Sequence, residues 1–221
     1  MAYKIKGKTI VSNGSASTDQ PIDVQGEVII GAPPMAGTVS GYASGGGYPA
    51  VLNTIDKFPF ATDSNATDVG DLTLARFGLT GQSSCENGYA SGGSPGINII
   101  EKFPFATDAN ATDVGDLTQG RSTAAGQSST ENGYTSGGSS PSIVNTIDKF
   151  PFATDTNATD VGDLTLARYS AAGQSSTESG YTSGGNIGGD TIDKFPFATD
   201  ANATDVGDLT QARSSPAGQQ Y

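Results

Sequence analysis

The sequence predicts an all-β fold: a four-bladed propeller preceded by a small β leader. Three observations carry this. The stretch beginning Ile55-Asp56-Lys57-Phe58-Pro59-Phe60 returns almost letter for letter from Ile100, Ile147 and Ile192, so the Phe-Pro-Phe triplet steps by 45, 47 and 45 residues. That is the period of propeller blades. No window spaces apolar residues three and four apart over a useful length, and Gly, Ser and Thr saturate the segments where a helix would have to form. Each unit divides instead into short strand candidates separated by turn residues.

Composition agrees with a shared core. Of the 221 residues 34% are apolar, there is no Trp, and 31 are Gly, so each unit buries a thin hydrophobic layer and needs neighbours to cover it. Two regions follow, a leader at 1–37 and a repeat domain at 38–221. The net charge of -12 argues against nucleic acid or an anionic membrane surface as partner, since both select basic patches. A solvated acidic surface is one reading of that charge and cation binding the other. Cys85 stands alone, with Thr130 and Thr177 at its counterparts, so no disulfide is expected within one chain. The opening Met1-Ala2-Tyr3-Lys4 is basic but lacks the apolar run of a secretory signal, and no stretch is long and apolar enough to span a bilayer. The expectation is a chain made in the cytoplasm, without membrane insertion.

In the leader, Tyr3, Ile5, Thr9 and Val11 alternate with polar neighbours around Gly7, which predicts a hairpin or strand-turn over Tyr3 to Ser12. Asn13 to Gln20 is turn material. Ile22 to Val24 and Glu27 to Ile30 read as two more short strands before the stiff Gly31-Ala32-Pro33-Pro34 connection.

Each repeat opens on Gly41-Tyr42-Ala43-Ser44-Gly45-Gly46 or a relative at Gly88, Gly133 or Gly180. The paired glycines permit positive φ or a close approach of main chains, and the Tyr supplies the burial. A second strand, Asn53 to Phe58, puts Thr54, Asp56 and Phe58 on one face and Ile55 and Lys57 on the other. Pro59, with no N–H for the ladder, ends or bulges it. Asp63 to Asp71 reads as a polar connection, Leu72 to Arg76 as a third strand, and Gly81-Gln82-Ser83-Ser84 as a small-residue strand for a crowded ring centre. Ser214 to Tyr221 repeats the approach to that last strand. It is expected to supply the strand missing ahead of Gly41 and so to close the ring within the first blade.

The order Tyr-x-Ser-Gly-Gly, variable loop, Asn-Thr-Ile-Asp-Lys-Phe, acidic turn, Leu-Thr-x-Ala-Arg resembles the kelch repeat over residues 41 to 221. The kelch Trp is absent, and Asp68 to Leu72 stand in its place. The resemblance implies a propeller and no particular activity. The leader segment Tyr3 to Val11 resembles the openings of tail-fibre and other virion structural proteins of marine and cyanobacterial phages, and repeats like Ile-Asp-Lys-Phe-Pro-Phe-Ala-Thr-Asp are similar to units in such proteins. This implies a phage virion component, whether tail fibre, capsid fibre or decoration.

For chemistry the chain offers little beyond carboxylates. It has no His, which excludes His-based triads and His metal sites. A glycosidase needs two acids in different environments, whereas Asp63, Asp68 and Asp71 recur in every unit and so serve the unit. Oxygen side chains at near-alternate positions make calcium candidates of Asp63, Asn65, Asp68 and Asp71, of Asp108, Asn110, Asp113 and Asp116, of Asp155, Asn157, Asp160 and Asp163, and of Asp200, Asn202, Asp205 and Asp208. The competing reading is an Asx-turn network capping main-chain N–H groups. Asn65-Ala66-Thr67 also spells a glycosylation acceptor, taken as accidental without a secretory signal. Lys57 and Arg76 recur among carboxylates and read as ion pairs between blades.

The varying positions are the more informative. The loops Gly47 to Thr54, Ser94 to Ile99, Ser139 to Thr146 and Asn186 to Thr191 alternate in length as eight, six, eight and six residues. Leu74 and Leu166 match where Gln119 and Gln211 stand in the other units, and Phe77 and Tyr169 face Ser122 and Ser214, so the array looks like a duplicated pair. Tyr48, Pro49, Val51 and Leu52, then Ile97, Asn98 and Ile99, then Ser142, Ile143, Asn186 and Ile187 are the candidate contact residues. Local packing over blade edges is the alternative for them. The functional expectation is a non-enzymatic virion protein whose leader docks to other virion proteins or to sister chains, giving a homo-oligomer, and whose loops contact a host surface or glycan. A particle-borne polysaccharide depolymerase and a bacterial surface scaffold are the rivals.

Overall fold

The structure, a computed structural model, describes residues 2–5, 8–11, 39–47, 49–139 and 141–220. The chain forms two compact units, Met1–Pro34 and Met35–Tyr221. In the first, β1 (Ala2–Ile5) and β2 (Lys8–Val11) pair antiparallel, with Ala2 opposite Val11 and Ile5 opposite Lys8. This is the hairpin expected around Gly7. The strands expected at 22–24 and 27–30 lie outside the described residues.

The second unit contains four sheets and, among the described residues, no helix. The first sheet has β3 (Ser40–Ser44), β4 (Thr54–Pro59) and β5 (Thr67–Asp71). The second has β6 (Thr80–Ser83), β7 (Asn87–Ser91), β8 (Ile99–Pro104) and β9 (Thr112–Asp116). The third has β10 (Ala125–Ser128), β11 (Asn132–Ser136), β12 (Thr146–Pro151) and β13 (Thr159–Asp163). The fourth has β14 (Ala172–Ser175), β15 (Ser179–Ser183), β16 (Thr191–Pro196) and β17 (Thr204–Asp208). Each is an antiparallel meander in chain order.

Strand alternation explains why every sheet needs a neighbour on both sides. In β8, Ile100 lies on one face and packs with Tyr89, Leu117 and Phe150 of the following sheet, while Phe103 lies on the other with Ile55 and Leu72 of the preceding one. The same layer recurs between the third and fourth sheets, where Tyr134, Ile147 and Leu164 meet Phe195 and Ala203. Fully burying each such Ile, Leu or Phe contributes about 1.5–3 kcal/mol. The Gly before each Tyr is required by the Phe opposite it. Gly88 pairs with Phe103, and a Cβ there would stand 2.3 Å from the ring's Cζ, so the ring lies flat over bare backbone.

Two expectations fail. The third strand of each unit is not Leu72 to Arg76 but Thr67–Asp71, inside the segment read as a connection. A register shift between Ile55 and Asp56 accommodates it, setting Ile55 opposite Gly70 and Asp56 opposite Asp68. Leu72 to Arg76 instead turns inward, burying Leu72 and driving Arg76 toward the next sheet.

The second failure concerns closure. The first sheet has three strands, and Pro216–Gln220 do not pair with β3. They follow the edge of the fourth sheet. A Cβ on Gly218 would lie 2.4 Å from the Gly173 carbonyl, and the Ser175 N–H donates to Oε1 of Gln220 at 2.6 Å. The physical reason is stacking of small-residue strands on one another. A Cβ on Gly126 would lie 2.4 Å from the Gly81 carbonyl and one on Gly173 2.1 Å from that of Gly126, and Gly218 continues the series.

Candidate functional site

A meander sends successive connections to opposite ends of its sheet, so the four units place equivalent loops at equivalent ends. At one end lie the variable loops and the segments following Leu72, Leu117 and Leu164. The acidic turns lie at the other.

The variable loops are tied to the preceding sheet. Ser94 N–H donates to the Phe77 carbonyl at 2.7 Å, Ser122 and Ser139 exchange two such bonds, and Asn186 N–H donates to the Tyr169 carbonyl at 2.9 Å. The Asn186 side-chain amide also donates to the Tyr169 hydroxyl. Of the predicted contact residues, Pro49, Val51, Leu52, Asn98, Ser142, Asn186 and Ile187 are exposed, and Ile97, Ile99 and Ile143 are half-buried. Tyr48 lies outside the described residues. Several have a structural task too: the carbonyls of Leu52 and Ile97 accept the N–H groups of Arg76 and Arg121, and that of Asn98 accepts Leu117.

The structure adds residues that sequence reasoning had noted only for their alternation. Leu74 is 43% exposed, Phe77 48% and Leu166 42%, at the same end as Val51 and Leu52. A Cβ on Gly47 would touch Phe77 at 3.5 Å and one on Gly188 would press on Leu166 at 2.7 Å, so these side chains border the loops. The signal was their recurrence in the first and third units alone.

The charges common to all units have a different use. Arg76 places Nη2 2.7 Å from Oε2 of Glu101, Arg121 2.8 Å from Oδ2 of Asp148, and Arg168 2.9 Å from Oδ2 of Asp193, all six side chains fully buried. Burial pushes each guanidinium pKa down, against the attraction of its acid. The same Arg donates to a carbonyl of the next sheet, Ala90, Thr135 or Thr182. Each acid also accepts the N–H of Thr73, Thr118 or Thr165. Glutamines act alike: Gln82 Nε2 donates to Ser91, to the Tyr134 carbonyl and to Thr135, all at 2.9 Å. Beside them a polar depression of about 170 Å³ lies between the small-residue strands, lined by Gln82, Ser83, Gln127, Ser128, Ser175 and Gln220.

At the other end, ten of the sixteen calcium candidates are engaged by protein partners. Asp68, Asp113, Asp160 and Asp205 each accept the N–H of the Gly two residues on. Asn110, Asn157 and Asn202 accept the N–H of Asp71, Asp116 and Asp163 of the preceding sheet. Asp108, Asp155 and Asp200 bind Lys57, Lys102 and Lys149 across the same boundaries. Among the described residues, three or more acids do not converge on one point.

No protein-family model matches the chain, and no curated protein matches it.

Proposed function

We propose that the four sheets are kelch-like propeller blades and that the chain is a non-enzymatic structural component of a phage particle, a tail fibre, capsid fibre or decoration protein. Its leader docks to other virion proteins or to sister chains, and its loop end contacts a host surface or glycan. One observation carries the choice of a binding module over an enzyme. The arginines and lysines common to the units, with the acids opposite them, serve as buried or bridging ties between sheets, while sequence variation and exposed apolar side chains gather at the loop end. A depolymerase would need acids left to face a substrate bond.

The test pairs mass spectrometry of purified particles with binding of the isolated chain to host cells and host polysaccharide. The chain should be found in the particle, bind in a manner weakened by Phe77→Ser or Leu52→Ser, and lose particle association when residues 1–37 are deleted. Release of oligosaccharides from the polysaccharide would overturn the reading in favour of an enzyme. Absence from the particle would overturn the virion assignment.

A further inference from the structure

Every contact that joins two neighbouring sheets has two halves, one on each sheet, and the first and last sheets of the repeat unit each present an unmatched half. On the last sheet Arg213 is exposed and hydrogen-bonds the carbonyl of its own Gln211, whereas Arg76, Arg121 and Arg168 are fully buried on an acid of the following sheet. On the first sheet Asp56, the counterpart of Glu101, Asp148 and Asp193, meets no cation among the described residues. Phe58 is 39% exposed where Phe103, Phe150 and Phe195 are at most 5%. A Cβ on Gly207 would meet nothing within 4 Å, whereas one on Gly70, Gly115 or Gly162 would strike the acidic turn of the next sheet. The main-chain edges match as well: among the described residues β3 has no inner strand such as β7, β11 and β15 have, and Pro216–Gln220, extending along β14, takes the position that an inner strand of a further sheet would take.

We propose that the partner of both faces is a second copy of this chain, joined head to tail so that Arg213 of each copy pairs with Asp56 of the other. The remaining contacts follow from the existing boundaries. Lys194 takes Asp63, as Lys149 takes Asp200, and the Asp208 N–H donates to Asn65, as that of Asp163 does to Asn202. Tyr181 stacks on Phe60, as Tyr134 stacks on Phe197 with centroids 4.8 Å apart. Residues 217–220 of one copy add to β3 of the other. The register copies β6 on β7, with Gln219 opposite Tyr42 and Gly218 opposite Ala43.

Charge and shape complementarity choose this occupant, since the two faces are the two sides of one repeated interface. The number of copies follows from the ring. Arg213 and Asp56 of one copy are not paired with each other, and two copies of four sheets give about eight blades, the upper end of the usual propeller range.

Sedimentation equilibrium on the full chain tests this with two charge reversals. The wild-type chain should have the mass of two copies. Arg213→Asp sets acid against acid at both boundaries and Asp56→Arg sets cation against cation, so each variant alone should run as one copy, with self-association weakened at least about a hundredfold. Mixed in equal amounts they should recover a one-to-one pair, because one boundary then holds the native pair and the other its reversal. That recovery separates the proposal from misfolding. A wild-type chain of one copy, variants that keep the wild-type mass, a mixture that does not pair, or a mass that grows without limit on concentration would each overturn it. The second of these results would point to the leader as the joining element.

Discussion

Nη2 of Arg121 lies 2.8 Å from Oδ2 of Asp148 on the next sheet, and neither side chain is reached by solvent. A second bond ties the same acid to the boundary, the hydroxyl of Thr118 donating to Oδ1 at 2.6 Å. Removing the acid strands a buried guanidinium, so Asp148→Ala should cost about 3–5 kcal/mol, read as a lower urea midpoint. Asp155 also crosses a boundary, to Lys102, but is 54% exposed. Asp155→Ala should therefore cost less than about 1 kcal/mol. Asp148→Glu should fall between them, because Glu101 fills the same role one sheet earlier. Equal losses for the two Ala variants would show that the buried pairs do not hold the sheets.

Tyr134 is 1% exposed, and its hydroxyl has no hydrogen-bond partner among the described residues. Burial pushes its pKa up from 10.0 to about 12, and Tyr89 shifts in the same direction for the same reason. The folded state thus favours the neutral phenol. Its contribution is fully present below pH 10 and is lost as pH rises through about 12. Stability measured by urea titration should fall across that window in the wild type and fall less steeply in Tyr134→Phe. At neutral pH the variant should be as stable as the wild type or up to about 1 kcal/mol more so, since it removes a buried polar atom left unpaired. A loss above that amount would mean that the hydroxyl is bonded.

Spacing made part of this legible. Gly88 and Phe103 recur in every unit, 15 or 17 residues apart as the loop between them shortens or lengthens, and the register sets the bare position opposite the ring each time. The boundary ties were legible in kind but not in address: nothing in the letters says that Arg121 serves Asp148 and not Glu101, because that depends on which sheet faces which. The strand Thr67–Asp71 was hidden because Asp and Gly are depleted in strands, and it survives here through a bulge and a cap from Asp68 to the Gly70 N–H. The destination of residues 216–220 was beyond reach for a related reason. An inner strand looks the same whichever sheet it joins.

The acidic turns are the place to test cation binding. Asp108 is engaged by Lys57 at 3.0 Å and Asn110 by the Asp71 N–H at 3.0 Å, so both oxygens would have to leave protein partners to hold calcium. Millimolar calcium or a chelator should shift the thermal midpoint by less than about 1 °C, where a site filled a hundredfold above its Kd would add about 2.7 kcal/mol. A rise of several degrees with calcium would establish the turns as metal sites.

Gly115 and Gly207 share a left-handed backbone, with φ of 152° and 147°, but not a neighbour. A Cβ on Gly115 would come 2.6 Å from the Thr156 carbonyl oxygen, main chain that cannot swing away, while one on Gly207 would enter open space. Both Ala variants carry the backbone strain, roughly 1–3 kcal/mol. Only Gly115→Ala adds the overpacking of a sheet boundary, typically another 1–3 kcal/mol. Measured by urea unfolding at concentrations where single copies dominate, the difference between the two reports the tightness of the boundary alone. Repeating the comparison where copies associate should then bring out a penalty for Gly207→Ala, because the acidic turn of the second copy would occupy the space its methyl group enters. If Gly207→Ala were as costly as Gly115→Ala in the single copy, the fourth sheet would already be covered by something in its own chain.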